Sequence, residues 1–138
     1  NDTAGSMTKD SVVNAAVVIR KLTGKDLSKY DIHINAVGGG KIDGPSAGVA
    51  MVMLILSAIE QRPLRQDIAM TGEISLQGRV KEVGGIHEKI YGAFQAGMKG
   101  VILPKGNLKD VPDALKTIEI IGVEDISQVM DIMFNVDN

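Results

Sequence analysis

Ser46 lies within Lys41-Ile42-Asp43-Gly44-Pro45-Ser46-Ala47-Gly48, a polar, glycine-broken turn, and an almost unbroken apolar run follows from Val49 to Ile59. A serine on the first turn of a buried helix sits among backbone N–H groups with no intrahelical partner. The helix dipole there favours negative charge, which is the setting an alkoxide or a tetrahedral oxyanion needs. A second turn, Gly84-Gly85-Ile86-His87-Glu88-Lys89, opens another apolar-periodic segment and puts a lysine in its first turn. Serine and lysine together form a nucleophile and a base, so the pair points to acyl transfer through a serine, as in a peptidase. The base must be a neutral amine. Burial of Lys89 beside the Val49–Ile59 run, and the positive end of its own helix, would both favour that form.

Duller readings fit several of these residues. Ser46 would equally serve as a helix cap. Gly44 to Gly48 also fits the G-x-S-x-G turn of α/β-hydrolases, with Asp67 and His87 following in order. The chain is short for that fold, and Pro45 occupies a position in the strained turn. Gly38-Gly39-Gly40-Lys41 does not match a nucleotide-hydrolysing phosphate loop, although a looser glycine and serine loop ahead of a helix can hold a phosphate by its N–H groups. Thr71-Gly72-Glu73 reads as a tight turn whose hydroxyl could hold the lysine amine, or simply satisfy its own backbone. Asp43 is either a carboxylate at the start of a helix or a contact to the lysine that keeps the site off. His33 reads as a half-exposed strand residue and His87 as a surface residue. No cluster has metal-ligand spacing.

The elements that must position these residues follow from periodicity. Thr8 to Leu22 carries Val13, Ala16, Val17 and Arg20 on one side, with Val12, Ala15, Ile19 and Leu22 beside them, and Gly24 ends this helix. Asp31 to Val37 alternates like a half-buried strand. A helix from about Pro45 to Gln61 is apolar nearly all round, so it should be central, and Arg62-Pro63 ends it. Asp67 to Glu82 predicts two short strands around Gly72 and Gly78. Ile86 to Gly97 predicts a helix with Ile90, Ala93, Phe94 and Ala96 inward. Val101 to Leu103 and Ile118 to Ile121 read as short strands, and Asp125 to Phe134 as a closing helix. The class is mixed α and β in one domain spanning residues 1–138; the pattern leaves the strand order open.

Composition narrows the function. Of 138 residues, 44% are hydrophobic and 23% charged, as in an ordinary globular domain with a real core. A net charge of −2, no basic stripe, two Tyr, two Phe and no Trp argue against a nucleic-acid partner. The absence of cysteine excludes disulfides, thiolate metal sites and a cysteine nucleophile, and fits a reducing compartment. Asn1 to Lys9 has no signal-peptide pattern, and Val49 to Leu56 is far short of the roughly 20 residues of a membrane span.

Taken as ordered blocks, these residues resemble the proteolytic domain of the Lon family of ATP-dependent proteases. Asp43-Gly44-Pro45-Ser46-Ala47-Gly48 is similar to the family's serine motif, and Met70 to Val80 to its second block. Gly84-Gly85-Ile86-His87-Glu88-Lys89 is similar to its lysine block, followed by Ala96-Gly97 and Val101-Ile102-Leu103-Pro104. The Ser46-to-Lys89 interval is also the family's. Asn35 to Ile42 is about one residue longer than the commoner pattern and resembles the Lon B-type branch. The resemblance implies Ser46 as nucleophile, Lys89 as general base and Thr71 as a hydroxyl supporting the lysine. Asp43, Gly44, Pro45, Glu73 and His33 would stand around them. It also implies the α+β Lon proteolytic fold, within a superfold shared with GHMP kinases and a ribosomal-protein domain. The expected activity is ATP-dependent serine endopeptidase action on polypeptides in the cytoplasm, in a hexameric ring. This domain would need no cofactor; ATP and Mg would belong to an ATPase region expected to precede it, together with the first strands of the proteolytic domain. An inactive, ring-forming module of the same assembly is the alternative.

Overall fold

A computed structural model describes residues 2–29, 47–113 and 117–135. In chain order the elements are α1 (Asp2–Thr23), a 3-10 turn (Leu27–Lys29), α2 (Gly48–Glu60), β1 (Ile68–Met70), β2 (Glu73–Ile74), β3 (Val80–Lys81), α3 (Ile86–Gln95), β4 (Gly100–Pro104), a second 3-10 turn (Lys105–Asp110), β5 (Glu119–Val123) and α4 (Ile126–Met133). Strand β4 is the centre of a parallel three-stranded sheet ordered β1-β4-β5, with Ile102 opposite Met70 on one side and Ile121 on the other. Its five residues are all buried, as a strand covered on both faces requires.

The two faces of that sheet hold two separate apolar clusters. Because side chains alternate along a strand, Ile102 joins Ile68 and Val123 on one face, while Val101 and Leu103 face the other way. The first face packs against α2, α1 and α4. Helix α2 supplies Val49, Met51, Val52, Met53, Ile55 and Leu56, so its all-round apolar character does make it central. It ends at Gln61, in the left-handed region at φ 52°. The second face is covered by α3 through Ile86, Ile90 and Ala93. The class is mixed helix and sheet, consistent with α+β.

Several expectations need correction. Helix α1 begins at Asp2 rather than Thr8, and its buried side is Ala15, Val18 and Ile19; Val13, Val17 and Leu22 are exposed. The stripe is narrower than the apolar count because only α2 packs on it closely. Asp67 to Glu82 holds three strands, since β1 leaves the hairpin of β2 and β3 to join the main sheet. Helix α3 stops at Gln95, with Phe94 50% exposed and Ala96 also outside the core. Both lie at the borders of a stripe set by Ile86, Ile90 and Ala93. Strand β5 runs Glu119–Val123, a two-residue shift toward the C-terminus at its far end. The strand expected at Asp31 to Val37 and the first residues of the helix expected from Pro45 lie outside the described residues. No helix of the described residues is long and apolar enough to cross a membrane.

Helix α4 has only eight residues, so its first turn matters to its stability. Asp125 caps it: its carboxylate accepts from the Ser127 and Gln128 N–H groups and from the Ser127 hydroxyl, while Gln128 Oε1 accepts from the Asp125 N–H at 3.2 Å. The Ser127 hydroxyl first, and the two N–H groups with it, hold the Asp125 carboxyl below its usual range despite some burial. A depressed carboxyl stabilises the fold above its unfolded pKa, and that contribution is lost as pH falls through the folded value. Asp125→Ala should therefore cost about 1 kcal/mol at neutral pH. The gap between variant and parent in thermal unfolding should shrink below about pH 4.

Candidate active site

Three of the elements have an end at the carboxyl end of the parallel sheet, the usual place for a site in such a sheet. The first is the end of β1. Thr71 follows its last residue, and the Thr71 N–H donates to the Ile102 carbonyl at 2.9 Å, extending the ladder by one bond. The side chain is 2% exposed, and its Oγ1 has no hydrogen-bond partner among the described residues. A buried hydroxyl that finds no partner at all costs about 1–3 kcal/mol.

The second element is the start of α2, immediately after Ser46. The Val49 N–H donates to the Gly72 carbonyl at 3.1 Å, which ties this helix start to the residue after Thr71. Two glycines make that approach possible. A Cβ on Gly48 would come within 2.8 Å of the Ile74 backbone nitrogen. Gly72 has φ +146°, and a Cβ there would meet Val80 at 2.9 Å and Val49 at 3.0 Å. Gly48→Ala gains up to about 1 kcal/mol in helix propensity. The clash is with backbone that cannot swing aside, and overpacking of that kind costs about 1–3 kcal/mol. The expected result is a lower melting temperature and reduced activity, because the residue before it but one is Ser46.

The third element is α3. The chain returns from β1 to the amino end of β4, where the Lys99 N–H donates to the Asp67 carbonyl at 2.7 Å. Its helix therefore runs opposite to the strands, and its first turn, with His87, Glu88 and Lys89, lies at the carboxyl end. The Lys89 N–H closes that turn on the Gly85 carbonyl at 3.1 Å. Lys89 is exposed, and α3 lies across the sheet from α2, so the burial against the Val49–Ile59 run expected for this lysine is not found. The reason is topological: α2 and α3 share the end of the sheet and not a face.

Thr71, Glu73 and Lys89 are thus placed at or beside one end of the sheet, on three different elements. Ser46, Asp43, Gly44, Pro45 and His33 lie outside the described residues. Glu73 is half-buried and lines an open cleft of about 740 Å³ with Arg79, Lys81, Glu82, Lys105 and Glu124. Acidic and basic groups alternate there, so the cleft carries no preference of charge. His87 is exposed. Among the described residues no group of His, Cys, Asp or Glu is placed to hold a metal ion.

One residue escaped the sequence reading. Asn107, 2% exposed, bonds with both backbone groups of Val83, three residues before α3 begins. An asparagine in a glycine-containing turn reads as turn chemistry. Only the fold brings it to Val83.

With this geometry in view, comparison with known proteins is specific. Residues 3–136 match the family model described as Lon protease (S16) C-terminal proteolytic domain. The chain is 49% identical over 126 residues to Lon protease 2 of Bacillus subtilis, covering 91% of this chain and 23% of that protein. It is 42% identical over 132 residues to the archaeal Lon proteases of Pyrococcus abyssi and Thermococcus kodakarensis, covering 93% of this chain and 13% and 21% of theirs. The chain therefore spans less than a quarter of the length of these relatives.

Proposed function

This chain belongs to the Lon protease C-terminal proteolytic domain family, and from that membership we propose that it cleaves peptide bonds with Ser46 as nucleophile and Lys89 as general base. Ser46 Oγ attacks the peptide carbonyl as Lys89 takes its proton. The resulting ammonium protonates the leaving amine, and water then releases the acyl group from the serine. The N–H of Ser46 and a neighbouring N–H at the start of α2 hold the oxyanion, worth on the order of 3 kcal/mol per donor in comparable sites. Thr71 supports the lysine amine through its hydroxyl.

The observation that carries this reading is that Thr71, whose buried hydroxyl has no hydrogen-bond partner among the described residues, the start of α2 and the first turn of α3 all lie at one end of the sheet. The amine must be neutral to act. Asp43 and Glu73 are proposed to border the site, Gly44 and Pro45 to shape the serine turn, and His33 to flank it.

The proposal extends to the whole protein by family membership. It is an ATP-dependent endopeptidase acting on unfolded or regulatory polypeptides. An ATPase region of the same protein uses ATP and Mg to deliver them, in a cytoplasmic ring that is hexameric. The domain's fold would share its superfold with the GHMP kinases. No nucleic-acid partner is proposed for this domain. The test is labelling of the full-length protein with a fluorophosphonate, read by intact mass and peptide mapping. An adduct on Ser46 is expected. No adduct in any assembly state would favour the inactive ring-forming module.

A further inference from the structure

Helix α3 carries Lys89 on its first turn, yet the segment that leads into it, Glu82 to Gly85, belongs to no strand. The apolar contacts of Ile86 and Ile90 with Val101 and Leu103 hold the helix against the sheet. Such contacts are non-directional and leave sliding along the helix axis weakly opposed. Something directional is needed to fix how far the first turn projects beyond the carboxyl end of β4.

Asn107 supplies it. Its Oδ1 accepts from the Val83 N–H at 3.0 Å, and its Nδ2 donates to the Val83 carbonyl at 2.9 Å. One side-chain amide thereby stands in for a neighbouring strand, satisfying both backbone groups of a single residue. The second Nδ2 hydrogen goes to Asp110 Oδ2 at 2.8 Å, which fixes the rotation of the amide. Val83 itself packs against the same apolar cluster as Ile86 and Ile90. Asn107 lies in the 3-10 turn directly after β4, so the clasp ties the approach to α3 to the rigid central strand. At the surface the same turn makes a second tie to the same segment: Lys109 Nζ donates to Glu82 Oε1 at 2.8 Å. A buried amide with three well-placed bonds is costly to replace, and here every bond but one goes to the residue that leads into the lysine helix.

We infer that Asn107 is a positioning residue for the peptidase reaction, setting the height of the α3 first turn and with it the reach of Lys89; the inference rests on the Ser46–Lys89 reading above. Among the described residues the Asn107 side chain bonds to Val83 and Asp110 and not to Lys89, so it acts through Val83, Gly84 and Gly85.

The test compares the full-length parent with Asn107→Ala and Asn107→Asp. The second keeps the shape and the acceptor for the Val83 N–H but removes the donor to its carbonyl. Fluorophosphonate labelling of Ser46 is timed across pH, well below the unfolding temperature of each protein. Peptide hydrolysis is followed alongside. Labelling and kcat should fall about 10- to 100-fold in both variants, with KM little changed and the pH midpoint of labelling displaced. A role confined to stability would lower the melting temperature and leave rate and midpoint as in the parent, which would overturn the inference. Hydrogen exchange on the unaltered protein gives a readout that needs no variant to fold. The Val83 amide should exchange as slowly as those of β4, and rapid exchange would overturn the clasp. A parent that is not labelled at Ser46 at all would instead remove the Ser46–Lys89 reading, so the two failures are distinguishable.

Discussion

Lys89→Met should abolish acylation of Ser46 and leave the fold standing. Lys89 is exposed on a helix held by Ile86, Ile90 and Ala93, so its side chain contributes nothing to the core that methionine would remove. Lysine and methionine have nearly equal helix propensity, and the melting temperature should barely move. The chemistry is a different matter. Removing one member of a nucleophile and base that act as a unit costs about 10,000-fold or more in rate. Fluorophosphonate labelling read by intact mass, with thermal unfolding alongside, measures both quantities. A labelling rate equal to the parent's would take Lys89 out of the mechanism.

Thr71→Val should separate stability from activity in the opposite direction to most core substitutions. The hydroxyl is buried with no partner among the described residues, and a buried hydroxyl without a bond costs about 1–3 kcal/mol. A methyl of similar size removes that cost, and the melting temperature should hold or rise. Activity should nevertheless fall about 10- to 100-fold, because a neutral amine, with two hydrogens and one lone pair to place, loses the acceptor that fixes its direction. Thr71→Ser should do the reverse: it keeps the hydroxyl and most of the activity while deleting a packed methyl, at about 1 kcal/mol. A valine variant that is less stable and fully active would make Thr71 a structural residue. These two series, with the Asn107 variants, test the lysine, its support and its placement separately.

Much of this site could be read from local pattern. Ser46 and Lys89 each follow a glycine-containing turn and precede an apolar-periodic run, and both features are visible in a window of a dozen residues. Thr71-Gly72-Glu73 is a turn for the same reason, and Gly72 at φ +146° is the residue type such a turn demands. Periodicity places Phe94 and Ala96 beside the apolar stripe of α3, yet both are exposed, because an apolar residue at the border of a stripe is not buried by its type alone. Burial depends on the width of the neighbouring surface, and the sheet face covers only the stripe of Ile86, Ile90 and Ala93.

The sequence by itself determined that α2 is central and to which family the chain belongs, because hydrophobic period and ordered motifs are local properties of a chain. Tertiary structure alone decided that β1 leaves its hairpin to pair with β4, that α2 and α3 lie on opposite faces of the sheet, and that Lys89 is exposed. It alone brought Asn107 to Val83, 24 residues away. Such contacts are set by which backbone groups find partners when the sheet closes, and no stretch of sequence shorter than the fold contains that information.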